Sequence, residues 1–213
     1  MEYSVDDIKK DVRITINQNM TDNVLINATD IDTLSIDDII KSKIVEATKE
    51  VECNADSDMI DNSIQLSNIS VNWKSATGVG MGSIILPDDF MRLLVFQMSD
   101  WSRPANLITE DSKLYAQQSS RYPGIRGCPQ RPIVAICRRG TGLVLEFYSC
   151  SAGASVFIRN ALYIQEPEIK SEKINVSGKL YKAIIYKIAS LTCASLGLTE
   201  AVQLFETLCK ELM

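Results

Sequence analysis

Histidine does not occur in this chain of 213 residues. That removes the commonest zinc sites and every nucleophile activated by an imidazole. Six cysteines (Cys53, Cys128, Cys137, Cys150, Cys193, Cys209) are scattered, with no C-x-x-C pair. They read as reduced thiols that behave as small hydrophobes. Asp88 and Asp89 are adjacent, so they point in different directions in a helix or a strand, and capping is their expected role rather than paired acid–base work. Asp56, Asp58 and Asp61 have the look of a calcium loop but lack its central glycine and terminal glutamate. The run Gly78–Gly82, G-V-G-M-G, has no following Lys-Ser/Thr, so it reads as backbone flexibility leading into a strand, not a phosphate cradle. No catalytic residue, metal ligand or cofactor is expected. One cluster remains that could bind something. Arg121, Arg126, Arg131, Arg138 and Arg139 fall within 19 residues, interleaved with Tyr122, Pro123 and glycines. Such a segment meets phosphates or acidic protein surfaces, or is an ordinary solvated loop.

The elements that must position these residues start with the stretch Gly82–Asn106, G-S-I-I-L-P-D-D-F-M-R-L-L-V-F-Q-M-S-D-W-S-R-P-A-N. Ile84–Leu86 is strand material. Pro87 fixes φ and biases Leu86 toward an extended conformation. Asp88 can start a turn, and Phe90 and Val95–Met98 begin a second apolar run. The expectation is a strand, a pinned corner at Pro87, Asp88 and Phe90, a short turn and another strand. Upstream, Ser35 is a natural N-cap, with Asp37 and Asp38 in the first turn. Ile36, Ile39, Ile40, Ile44, Ala47 and Val51 form one helical stripe. Val5–Asn17 fits either a helix or a strand, and Asn17–Asp32 reads as a connection. Residues 53–78 are rich in Asp, Asn and Ser and read as a long loop, with a weak strand at Ile69–Trp73.

Downstream, Thr109 is placed to cap a short helix reaching Gln118. Pro132–Arg138 and Leu143–Tyr148 form a hairpin, and Ser155–Ile164 a third strand of an antiparallel meander. Gln165–Val176 reads as a linker. Two helices follow, the first capped by Ser177 and closed by Gly197, the second capped by Thr199. Their stripes need a third helix, and the one starting near Ser35 supplies it. The fold class expected is therefore α+β. A helical bundle is built from one helix in the N-terminal third (about 35–51) and a C-terminal antiparallel pair (about 177–196 and 199–212). An antiparallel β region (about 79–164) is inserted between them, the whole forming a single domain.

The wording L-P-D-D-F-M-R-L followed by M-S-D-W-S-R-P, together with I-I-x-S-K-I-x-x-A at Ile39–Ala47, resembles the head-to-tail connector (adaptor or ring) proteins of short-tailed phages, most closely those of crAss-like phages. The order of helix, loop, proline corner, meander and helical pair matches over most of the chain. The first thirty residues match weakly. The resemblance implies a structural virion protein at the head–tail junction, made in the host cytoplasm. It would be a ring of about twelve copies beneath the portal protein, joined to further tail or ring proteins and passed through by the genome. Under that reading the arginine segment, Trp73 and Trp101 are interface candidates. The alternative is a nucleic-acid-contacting module using the arginine loop.

Charge bears on both. Residues 1–62 hold 15 acidic against 6 basic side chains, and the rest 12 against 16. An acidic third argues against general nucleic-acid binding and suits a channel wall past which DNA slides. The hydrophobic share of 46% supports a real core. No run approaches the roughly 20 apolar residues of a membrane span, and the acidic start M-E-Y-S-V-D-D has no secretory layout.

Overall fold

The computed structural model describes residues 1–16, 35–67, 69–76, 79–120, 122, 124–140, 142–151 and 156–213. In chain order its elements are β1 (Glu2–Ser4), α1 (Val5–Thr15), α2 (Ile36–Asn54), a 3-10 turn (Ser57–Met59), β2 (Ile64–Gln65), β3 (Asn72–Ala76), β4 (Val79–Ile85), β5 (Phe90–Met98), β6 (Asn106–Thr109) and α3 (Lys113–Gln117). There follow β7 (Ile133–Arg139), β8 (Gly142–Cys150), β9 (Ile158–Gln165), β10 (Ile169–Lys170), β11 (Lys173–Asn175), α4 (Tyr181–Ser195) and α5 (Thr199–Lys210). The fold is α+β. The chain forms two compact units, Met1–Asn62 with Glu166–Met213, and Ser63–Gln165.

The first unit is helical. Around α4 pack α1, α2 and α5, one helix more than the sequence pattern called for. Burial runs round most of α4, including Ala183, Ile184, Ile185, Ile188, Ala189 and Cys193, as befits a central helix. The α1 segment resolves as a helix because Val5, Ile8 and Val12 are buried at helical spacing while Ile14 is left 62% exposed. Ser4 caps it by accepting from Asp6 N at 3.2 Å. Ser35 and Asp38 form a reciprocal capping box on α2, and Ile36, Ile40, Ile44, Ala47 and Val51 are buried as expected, with Ile39 only half-buried. Gly197, at φ +76°, closes α4: Leu198 N donates to Cys193 O and Gly197 N to Ala194 O.

Two cap assignments are corrected. Ser177 does not cap α4. Its hydroxyl donates to Met59 O at 2.7 Å, three residues of turn follow, and the N-cap is Leu180. Thr199 is the first residue of α5, not its cap. The linker expected at 165–176 holds β10 and β11, with β11 pairing β1, and Ser171 and Glu172 turn between them at positive φ. The loop expected at 53–78 is also shorter. The α2 helix runs on to Asn54, and β2 and β3 occupy part of the remainder.

The second unit is two sheets, β2-β9-β5 and β3-β4-β8-β7-β6. Ile84, Val134, Leu145 and Phe147 of the larger sheet share one core with Phe90, Phe96, Met98, Ala161 and Tyr163 of the smaller. The β7–β8 hairpin is present as expected. The meander is not: β9 pairs β5 and β2 instead of β8, because β4 already occupies the free edge of β8. In addition β6 joins β7 in parallel, and the helix expected from Thr109 begins after Ser112. The proline corner thus links two sheets, with β4 in one and β5 in the other. The glycines of β4 serve packing rather than flexibility. A Cβ at Gly82 would lie 2.4 Å from the Phe147 ring. The expected connection at 17–32, Gly78, and the turn at 152–155 lie outside the described residues.

Candidate functional site

The arginine segment and the proline corner meet in the structure. Leu86 N donates to Leu143 O at 2.9 Å, which sets the corner against the tip of the β7–β8 hairpin. Leu86, Pro87, Asp88, Arg138, Arg139 and Gly140 line a hollow of about 360 Å³ there. Gly142, at φ +113°, makes the hairpin turn. Phe90 is buried, and its ring stacks on Tyr163 at 5.8 Å. Phe90 N donates to Pro87 O at 3.1 Å, closing the turn. Asp88 is exposed, whereas Asp89 accepts hydrogen bonds from Tyr163 and Gln165, so the adjacent carboxylates do diverge.

Alternation along β8 sends Leu145 and Phe147 into the core and Glu146 and Tyr148 to the other face. The lone acid in L-V-L-E-F-Y is the centre of the most connected polar group in this unit. Glu146 is 5% exposed. It accepts from the Tyr148 hydroxyl, from Tyr115 at 3.1 Å, from Arg139 at 3.2 Å and from Lys74 at 3.3 Å. Arg139 also pairs with Glu110 and donates to the Tyr115 hydroxyl at 2.7 Å. Burial pushes the Glu146 carboxyl up. Hydrogen bonding by Tyr148, the Lys74 charge, and the Tyr115 and Arg139 donors outweigh it and bring it to about 2. Burial raises Tyr148, and the hydrogen bond to Glu146 raises it further. Burial likewise lifts the neighbouring Cys137 thiol to about 11. At neutral pH the group therefore holds a fixed carboxylate, two protonated phenols and an unreactive thiol. It fastens α3 and the hairpin to the sheet, and it supplies no titratable acid, base or nucleophile near pH 7.

The remaining candidates separate. Arg126 is half-buried, its Nη1 donating to Tyr148 O at 3.4 Å. Arg131 is exposed on a tight turn bridged to Cys128, and Arg138 is exposed at the hairpin. Arg121 lies outside the described residues. Trp73 is 39% exposed, edge-on to Phe147 at 5.3 Å. Trp101 is corrected from interface to core: it is 2% exposed and packs edge-on against Phe96 at 5.7 Å. The turn after β5 folds this large apolar ring inward.

In the helical unit, sequence reading missed Lys187. It is buried on α4 and bridges Glu50 of α2 at 2.5 Å and Glu206 of α5 at 2.8 Å. These side chains, with Cys209 and Met213, line a cavity of about 220 Å³. A lysine at helical spacing from Ile184 and Leu191, on the apolar side of the segment, was the available signal. Asp61 accepts from Gly178 N at 2.8 Å, and Lys179 donates to Asp58 O, so the acidic residues after α2 tie down the start of α4. Among the described residues, no group of three or more Cys, Asp or Glu is placed to hold a metal. None of the six cysteines is in a disulfide. No helix among the described residues is long and apolar enough to cross a membrane.

No protein-family model matches this chain, and no curated protein matches it in sequence.

Proposed function

We propose that the chain is a subunit of a head-to-tail connector ring, seated beneath a phage portal and joining capsid to tail. The observation that carries this reading is the order of elements around the corner Leu86–Phe90. The capped helix α2, the corner and the closing helical pair follow one another as the resemblance implies, while strands of two sheets stand where it implies a meander. The chemistry proposed is burial between copies, not bond making. The fully engaged Glu146 group and the ion-paired Lys187 cluster support it, because each ties elements together. Partners under this reading are about eleven further copies, the portal protein and adjoining ring or tail proteins. Acidic side chains of the N-terminal third would line the passage and keep the genome backbone from sticking.

A nucleic-acid-binding module draws less support than the arginine count promises. Arg139 is committed to Glu110 and Glu146, and α5 is not basic. The test is mass measurement with negative-stain imaging of the purified chain, alone and mixed with the portal protein of the same genome. A closed ring of defined copy number supports the proposal. A monomer under both conditions, binding duplex DNA with an affinity that falls steeply with salt, overturns it in favour of the module.

A further inference from the structure

The two compact units carry opposite charge. Residues 1–62 and 166–213 hold 21 acidic and 12 basic side chains, a net of −9, while residues 63–165 hold 6 acidic and 10 basic, a net of +4. Each unit also presents exposed, unpaired charges of its own net sign. On α5, Phe205 and Cys209 turn inward. The opposite side carries Glu200, Leu204 and Glu211 at helical spacing, with Leu204 57% exposed and neither glutamate in an ion pair among the described residues. In the other unit, Ser102 N donates to Pro129 O and Asn106 N to Pro132 O. These bonds lay the segment 102–106 alongside 129–132, at the end of the larger sheet where the parallel strands β6 and β7 begin. Arg103 and Arg131 are exposed at that end, without ion pairs among the described residues.

We infer that, in the proposed ring, the α5 face of one copy seats on the arginine end of the larger sheet in the next copy. This rests on the connector reading. A cyclic ring needs two different surfaces that fit each other. Here exposed carboxylates around Leu204 on α5 would face exposed guanidiniums at the end of the larger sheet. Opposite charge steers such surfaces together, and like charge repels wrong pairings. The occupant of each face is therefore a second copy of this chain.

The test uses two full-length double variants, Glu200→Lys with Glu211→Lys, and Arg103→Glu with Arg131→Glu. All four positions are exposed, and circular dichroism checks that both variants keep the parent's secondary structure. Ring formation is followed by mass photometry under the conditions in which the parent assembles. Each variant alone is expected to need at least about tenfold more protein to assemble. An equimolar mixture of the two is expected to recover, because every contact in an alternating ring then pairs opposite charges. Parent rings are expected to weaken as salt rises from 0.15 to about 0.5 M. If the variants assemble like the parent, or the mixture fails to recover, this contact is wrong and the ring reading stands. If the parent forms no ring alone or on the portal, both fall together.

Discussion

Glu146 shows how one side chain decides a local structure. An ordinary glutamate titrates near 4.5, and this one sits at about 2. Folding therefore favours the ionised form. Its contribution is whole above about pH 4.5 and fades as pH falls toward 2. Replacing Glu146 by Gln removes the charge that four donors share, at an expected cost of about 1.5–3 kcal/mol at pH 7. The difference between parent and Glu146→Gln should shrink as the pH is lowered through 4 to 2.5. Urea unfolding at three pH values measures it, and a pH-independent difference would show that the phenols, not the charge, hold the site. Lys187 is the equivalent residue among the helices. Burial works against its charge, and the carboxylates of Glu206 and Glu50 more than compensate, so it stays protonated well above neutrality. Lys187→Met strands two carboxylates that are themselves partly exposed. The expected loss is about 1–3 kcal/mol, below the roughly 3–5 of a fully buried pair, read as a lowered urea midpoint.

At the scale of elements, the corner from β4 to β5 does more than turn the chain. Pro87 begins the turn that carries the chain from one sheet to the other, and Phe90, stacked on Tyr163 of its own sheet, is buried in the core that both sheets share. Phe90→Ala is expected to cost about 3–5 kcal/mol. Pro87→Ala should add less than about 1 kcal/mol, through the unfolded chain. Thermal melts of the double variant check this, and an unchanged melting temperature would reduce the corner to surface wording. Strand order explains why the third strand of the expected meander found another partner. Short connections favour neighbouring strands, yet β8 already has β4 and β7 on its two edges. The next strand, β9, had to cross to the other sheet. Competition for an edge is a long-range fact that no local pattern carries.

At the scale of the molecule, residues 63–165 behave as an insertion. Their first and last strands are paired, Ile64 opposite Tyr163 and Gln65 opposite Leu162, so this unit's two ends are neighbours, as in tolerated domain insertions. With its own core, the segment 63–165 produced alone is expected to fold and melt cooperatively, with a strand-dominated circular dichroism spectrum. A molten or aggregated product would show that its core is incomplete.

The sequence alone determined what rests on neighbours along the chain. The capping box at Ser35 and Asp38, the isoleucine stripe of α2, the left-handed Gly197, the β7–β8 hairpin and the α+β class all follow from spacing and local backbone preference. The absence of histidine and of any C-x-x-C spacing belongs with these, since composition and spacing are visible without a fold. Only the tertiary structure decided that Trp101 is core, that β9 leaves the meander, that α1 joins the bundle and that Glu146 gathers Lys74, Tyr115, Arg139 and Tyr148. Those outcomes depend on which distant groups compete for the same buried space, edge or charge. A chain read one window at a time carries the preference of each residue but not the result of that competition.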